Sequence, residues 1–226
     1  RWDRFIETHK KNPQTRPLDI AMIGGGAAGC ETALMLRLRL MREGIAHEFS
    51  LFHNKSELMP GHNKKASQVM LAKLKEHGIQ VHLGTPISKL KDGKIESKDG
   101  FRKTIDYVFL ATSAKAPEWF KDSGLAVNED GFLQVDRHLQ VKGTDNLFAA
   151  GDCAHFAHKP LPKSGVFAVR QGPVLYYNLA AKISKNKVSL KKYRPQKSYL
   201  SLIHTGVDEA LLSKGFITLC NRWAFK

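Results

Sequence analysis

The chain has 226 residues and carries 36 Lys and Arg against 21 Asp and Glu, a formal charge of +15 with His neutral. Its 42% hydrophobic and 25% charged residues are globular proportions, which exclude disorder as the main state and a collagen-like or low-complexity chain. At about 150 residues per domain the length suits one large or two modest domains with a real core. Apolar runs are broken by Arg37, Arg39, Gly or Pro before reaching the roughly 18 residues of a membrane-spanning helix, and no secretory signal pattern is present within these residues. Cys30, Cys153 and Cys220 lie far apart, with no CxxC pair, so a reducing compartment is expected. The chain opens on Arg1 and closes on the apolar-rich stretch 220–226 without a helix stop signal, which reads as a segment of a longer protein.

In chain order, residues 1–16 are polar and basic, and Pro13 and Pro17 oppose a continuous helix past Lys11, so they read as a lead-in. Residues 18–23 (LDIAMI) form a short apolar run ending in three glycines, and residues 30–43 repeat apolar positions three and four apart: strand, glycine turn, helix. Residues 48–52 read as a second strand, 64–77 as an amphipathic helix closed by Gly78, and 79–85 as a third strand. That alternation predicts an α/β fold with parallel strands joined by right-handed crossovers. Turn signals at Asp92-Gly93 and Asp99-Gly100 predict a small antiparallel meander riding on the sheet, after which 106–112 is again a continuous apolar strand.

Past Pro117 the pattern changes, which puts a domain boundary near residues 113–117. A short Trp119/Phe120 segment, strands near 132–135, 139–141 and 146–150, and a long helix over 165–184 follow. The helix runs into a lysine-rich stretch, 182–197, interleaved with Tyr193 and followed by Tyr199. That stretch reads as a solvated basic face, with anionic lipid headgroups or nucleic acid as the sharper alternatives, although no nucleic-acid motif accompanies it. Residues 199–205 and 209–219 read as an antiparallel hairpin around Gly206, and Trp119, Trp223 and the phenylalanines as core.

Two motifs carry chemistry. Gly24, Gly26 and Gly29 form GxGxxG within GGGAAG, after a strand and before a helix. The first glycine permits the turn, the second lets the backbone approach a pyrophosphate, and the third allows close packing of helix on strand. The helix's unpaired N–H groups and dipole would then hold the anion, so Gly24, Gly25, Gly26, Ala27, Ala28 and Gly29 are the candidate NAD(P)-binding residues. An NAD site usually closes its second strand with a carboxylate on the ribose hydroxyls. Here the position holds Phe52-His53-Asn54-Lys55, whose basic His53 and Lys55 would suit a 2′-phosphate, so NAD and NADP both stay open.

The second motif is Gly151-Asp152, at the end of the buried strand read over 146–150, where a carboxylate can accept hydrogen bonds from a ligand's hydroxyls. Cys153, His155 and His158 lie close by without a fourth ligand at a matching spacing, so no metal site is expected, and Cys153 reads as a buried, inert thiol. The run TDNLFAAGDCA resembles the second flavin motif of the pyridine nucleotide-disulfide oxidoreductase superfamily. That resemblance implies that Asp152, with Gly151, binds the ribityl chain of FAD while the glycine turn binds NAD(P)H. It further implies that Glu31 stands near the nicotinamide and that the helix beginning at Gly165 and Val166 faces the flavin pyrimidine, where its dipole would stabilise negative charge.

The resemblance covers nearly the whole chain. Leu110-Ala111-Thr112-Ser113 is similar to the family's linking ATG segment with Ser for Gly, and Leu161 to Gly172 to its flavin-facing helix. With Tyr193-Arg194-Pro195-Gln196 and Leu200 to Gly206, the likeness is to the NADH-dehydrogenase-like flavoprotein found alone or fused to selenide, water dikinase. The family's own first GxGxxG, for the ADP half of FAD, has no counterpart among these residues, so the chain is expected to begin after it. The implied organisation is a Rossmann-like NAD(P)-binding domain over 17–114, the C-terminal part of an FAD-binding domain over 115–190, and a terminal β-hairpin region over 191–226. The implied function is hydride transfer from NAD(P)H to FAD and onward, a quinone being the acceptor the family suggests, in the cytoplasm or at the inner face of the membrane. The competing readings are a non-catalytic NAD(P)-binding module beside a partner such as selenide, water dikinase, and a basic nucleic-acid binder.

Overall fold

In the computed structural model, which describes residues 2–12, 15–184 and 188–222, the chain divides into two units, Arg1–Thr112 with Ser198–Lys226 and Ser113–Lys197. Trp223, expected in the core, and residues 185–187 of the lysine-rich stretch lie outside the described residues. The first unit runs α1 (Trp2–Lys11), β1 (Leu18–Ile23), α2 (Ala27–Arg42), β2 (His47–Phe52), α3 (Lys64–Glu76), β3 (Ile79–His82), β4 (Ile87–Lys91), β5 (Lys94–Ser97), β6 (Arg102–Thr104) and β7 (Tyr107–Leu110). The second contains α4 (Trp119–Asp122), β8 (Leu133–Val135), a 3-10 turn (Gly151–Cys153), β9 (Ala154–Phe156) and α5 (Gly165–Ile183). The first unit is then completed by β10 (Ser201–His204), β11 (Ala210–Lys214) and β12 (Ile217–Asn221).

β1 is central in a parallel sheet of order β3-β2-β1-β7, paired with β2 from Leu18↔His47 to Ile23↔Phe52 and with β7 from Ile20↔Tyr107 to Ile23↔Leu110. A strand covered on both faces reads as a near-continuous apolar run, and LDIAMI does so apart from Asp19 because its alternate residues serve two cores. Leu18, Ile20 and Met22, with Phe49 and Leu51 of β2, pack under α2 and α3 against Leu34, Leu40, Met70 and Leu74. Ala21, Ile23 and Phe52 face the other way, onto Ile95 and Ile105 of the meander β4-β5-β6. Lys103 of β6 ties the meander to β1 through Asp19 at 2.9 Å.

Several expectations change with tertiary context. Residues 1–16 are more than a lead-in: α1 buries Ile6 and sets Trp2 on Phe109 (centroids 5.4 Å) and Phe5 on Tyr107 (4.3 Å), covering the β7 edge. α2 begins at Ala27, three residues before the apolar repeat, because the glycine turn runs directly into it. The expected terminal hairpin is a three-stranded antiparallel sheet, since Gly215 (φ +56°) turns the chain inside residues 209–219. Its inner residues Ile203 and Leu211 join the core beneath α2 and α3.

In the second unit residues 139–141 and 146–150 form isolated bridges (Val135↔Val141, Gln140↔Phe148) in place of the expected strands. The Asp136 carboxylate accepts the His138 and Gln140 N–H groups at 2.8 and 3.0 Å, bending the chain where a ladder would run. Trp119 is 59% exposed because the one-turn α4 buries only Phe120, and Phe216, at the β11–β12 turn, is 90% exposed, so neither belongs to the core. Asn178 of α5 is fully buried: its amide nitrogen donates to the His138 and Lys191 carbonyls and its oxygen accepts from the Lys191 N–H, fastening the segment after α5 to the helix. No helix among the described residues is long and apolar enough to cross a membrane.

Burial, the largest influence on each, holds His47, His53, His62 and His82 of the first unit below the ordinary imidazole pKa. With folded values depressed, the unfolded chain takes up protons first on acidification, so stability present above about pH 6.5 is lost as pH falls through that value towards the folded ones. The urea midpoint is expected to drop between about pH 7.5 and about pH 5.5, before the carboxylates titrate. An unchanged midpoint would contradict four neutral imidazoles, His53 buried and the other three partly buried.

Candidate functional site

The glycine turn follows β1 and is compressed from two sides. Gly24 has φ +122°, and a Cβ there would lie 2.1 Å from the Ala111 carbonyl oxygen just after β7. A Cβ on Gly29, in the first turn of α2, would lie 2.0 Å from the Gly24 carbonyl oxygen, so the helix rests on the turn through bare backbone. Gly26 is the N-cap of α2, and a Cβ built on it meets nothing within 4 Å. The three glycines thus divide the work as the spacing implies: turn, open approach, close packing. No side chain caps α2, which leaves its first-turn N–H groups, at Ala27, Ala28 and Gly29, for an anion. By contrast α3 is capped by Asn63, whose Oδ1 accepts from the Ala66 N–H at 2.9 Å.

Two residues named in the sequence meet unexpected partners. Glu31 Oε1 accepts the His204 backbone N–H of β10 at 2.9 Å, so the last sheet of the unit orients this carboxylate beside the turn. His53 lies 7% exposed at the end of β2 with Nδ1 accepting the Gly25 N–H at 3.1 Å, an inward contact, whereas Lys55 is exposed. Sequence reasoning missed His204, which no local pattern marks, and missed Leu58 and Met59, which pack on the turn after β2: the Met59 N–H donates to the Gly25 carbonyl at 2.8 Å.

The second constellation belongs to the second unit. Gly151 (φ +71°) opens the 3-10 turn, and its N–H donates to Oε1 of the buried Gln171 on α5 at 2.6 Å. Asp152 is exposed, and beside it a small cavity is lined by Gly151, Asp152, Lys163, Ser164, Phe167 and Gln171 among others. Ser164 stands at the N-cap of α5 without capping it; its Oγ is buried and has no hydrogen-bond partner among the described residues. The uncapped helix therefore starts at Gly165 and Val166, between the cavity-lining residues Ser164 and Phe167. The half-buried Lys163 ammonium donates to the Ala154 carbonyl at 2.5 Å and sits 3.9 Å above the Phe132 ring; burial pushes its pKa down while Asp152 pushes it up. Cys153 is only partly buried, and its thiol donates to the Ala150 carbonyl at 3.1 Å. Exposed carboxylate, buried hydroxyl and uncapped helix start fit a group with hydroxyls and a ring that takes on negative charge when reduced, as FAD has; the open face of Gly26 fits a dinucleotide's pyrophosphate.

The family description "Pyridine nucleotide-disulphide oxidoreductase" matches residues 3–172, which hold both motifs. The chain is similar to ferroptosis suppressor protein 1 of Taeniopygia guttata, 28% identical over 192 residues that span 78% of this chain and 48% of that protein. It is also similar to the type II NADH:quinone oxidoreductase of Haemophilus influenzae, 27% identical over 205 residues, 85% of this chain and 45% of that one. Among solved structures, the sulfide:quinone oxidoreductase of Aquifex aeolicus shares the fold at a TM-score of 0.74 and 19% identity, over 98% of this chain and 57% of that one. The chain spans less than half the length of these two curated relatives.

The turn's steric demands give a direct test. Gly24→Ala and Gly29→Ala each force a Cβ into a carbonyl oxygen and are expected to cost about 3 kcal/mol in urea unfolding. Gly26→Ala meets open space and costs about 1 kcal/mol or less, from the poorer N-cap. Equal losses at all three positions would refute this division of roles.

Proposed function

Because the chain belongs to the pyridine nucleotide-disulphide oxidoreductase family, we propose that it forms the NAD(P)H-binding unit and part of the FAD site of an FAD-dependent NAD(P)H oxidoreductase whose electrons go on to a quinone. The observation that carries this reading is the glycine turn, where two glycines are obligatory for packing and the third leaves open backbone in front of an uncapped helix. Quinone as acceptor is supported by relatives such as the type II NADH:quinone oxidoreductase.

In this reading FAD and NAD(P)H, when bound, supply the two-electron chemistry by hydride transfer. The protein's part is to bind and orient. Gly24 to Gly29 take the pyrophosphate on N–H groups, and Glu31, steadied by the His204 N–H, serves the nicotinamide side. Asp152 accepts ribityl hydroxyls, and the α5 start at Gly165 and Val166 opposes negative charge with its dipole. The strand end after β2 carries no carboxylate, so NAD and NADP remain alternatives on the residues present.

The finer readings have narrower support. A visit to the inner face of the membrane from the cytoplasm rests on the +15 charge and the lysine-rich stretch 182–197. A selenide, water dikinase neighbour rests on the resemblance at residues 193–196 and 200–206 alone.

Anaerobic visible spectra of the natural full-length protein, before and after NADH and then NADPH, test the proposal. A flavin band bleached by one nucleotide is expected, and the effective nucleotide identifies the donor. A protein that binds nucleotide yet carries no flavin would overturn hydride transfer and leave a binding module. Asp152→Asn is expected to weaken FAD about tenfold, the worth of one charge-assisted hydrogen bond, read by titrating apoprotein with FAD fluorescence.

A further inference from the structure

The peptide of Gly25 is gripped at both ends. Its N–H donates to His53 Nδ1 at 3.1 Å, and its carbonyl accepts the Met59 N–H at 2.8 Å and the Cys30 thiol at 3.6 Å. The side of Gly25 where a Cβ would stand is filled: it would lie 2.7 Å from His53 Cγ and 2.7 Å from Leu58 Cδ2. The grip is therefore built from the loop that follows β2, on the strand end where dinucleotide folds otherwise keep a ribose-binding carboxylate.

His53 has little freedom to leave. Its N–H donates to the His82 carbonyl at 2.9 Å and its carbonyl accepts the Thr85 N–H at 2.8 Å, so its backbone is pinned on both sides by the end of β3. The ring is more than nine-tenths buried, and because Nδ1 accepts from Gly25 the proton of the neutral ring sits on Nε2. That Nε2 is buried and meets no well-formed hydrogen-bond acceptor among the described residues; the Glu57 backbone is the polar group that favours a proton on the ring. A purely packed core would place an aliphatic or aromatic side chain here; what the imidazole adds is one acceptor aimed at the turn.

Resting on the nucleotide-binding reading above, we propose that His53 is the positioning residue of the dinucleotide turn: its neutral imidazole holds the Gly25 peptide in the shape that leaves the α2 N–H groups free for pyrophosphate. Its protonation turns Nδ1 into a donor facing a donor, breaks the grip and lowers nucleotide affinity. The surroundings favour the neutral ring at physiological pH. Burial lowers its pKa most, the Lys55 ammonium lowers it further, and the Glu57 backbone opposes them. The nearby Cys30 thiol, raised to about 12 by burial, stays neutral, and His82 on β3 is itself held below its ordinary value by burial and by Lys103.

The test is calorimetric titration of the natural full-length protein with NAD+, whose pyrophosphate does not titrate in the range used, between about pH 5 and about pH 8. Melting curves in each buffer confirm that the folded protein is being titrated. Wild-type affinity is expected to fall about tenfold towards the acid end, the loss of one buried hydrogen bond. His53→Asn, whose amide oxygen replaces Nδ1 as a non-titrating acceptor, should bind within about threefold of wild type at neutral pH and show a flat profile. His53→Leu should bind about tenfold more weakly at every pH, also with a flat profile. Wild-type binding that does not change with pH, an Asn variant that keeps the wild-type slope, or a Leu variant with wild-type affinity at neutral pH would each overturn the proposal. Failure of wild type to bind NAD+ or NADP+ at any pH would instead remove the nucleotide reading itself.

Discussion

The first unit depends on contacts between bare backbones: the Gly29 Cα rests on the Gly24 carbonyl, and the Gly24 Cα on the Ala111 carbonyl after β7. Because no side chain separates α2 from the turn, the helix start sits close to the carboxyl end of β1, with its first N–H groups left at the turn. Leu34 and Leu40 of α2 then fall onto Ile20 and Met22, and the helix-side core closes around them. A hydrophobic interior alone would tolerate many helix positions, since apolar packing is nearly non-directional. The two impossible Cβ atoms select one.

Although the protein is strongly basic, its two candidate ligand sites are not lysine clusters. Each is a helix start left without a side-chain cap: α2 has Gly26 at the N-cap, and α5 has Ser164 with its hydroxyl unused. α3, with no motif at its start, is capped conventionally by Asn63. Leaving orphan N–H groups is costly in an ordinary helix; the one-turn α4 also starts uncapped, so at α2 and α5 it is the motif beside the open start that makes it a candidate for an anion. The surface charge acts at longer range, drawing anionic molecules in without specifying them.

The glycine turn, the parallel sheet and the meander were legible because each is encoded locally, by glycine spacing, by a two-sided apolar strand and by Asp-Gly turns. The Gly151-Asp152 pair was read as a carboxylate at a strand's end, but residues 146–150 make only an isolated bridge, Gln140↔Phe148, so its flavin reading rests on the family resemblance. The third strand of the last sheet was hidden because residues 209–219 read as one apolar run, and only the positive φ of Gly215 divides it. Trp119 and Phe216 are apolar enough for a core, but a one-turn helix and a tight turn give them nowhere to go. The contacts that set the site, His53 to Gly25 and Glu31 to the His204 N–H, join residues 28 and 173 positions apart and leave no periodic trace.

That last separation has a kinetic meaning. The first unit is discontinuous: its sheet, α2 and α3 are synthesised early, whereas β10 to β12, which lay Ile203 and Leu211 on the same core, emerge only after all of the second unit. During translation the apolar underside of α2 and α3 stays open to water while 85 intervening residues, Ser113–Lys197, are made. Closing so long a loop is slow relative to local helix formation, and a chain waiting with an exposed core is the species that chaperones bind and that aggregates. The core of the first unit is therefore closed by Ile203 and Leu211 only after the second unit has been made.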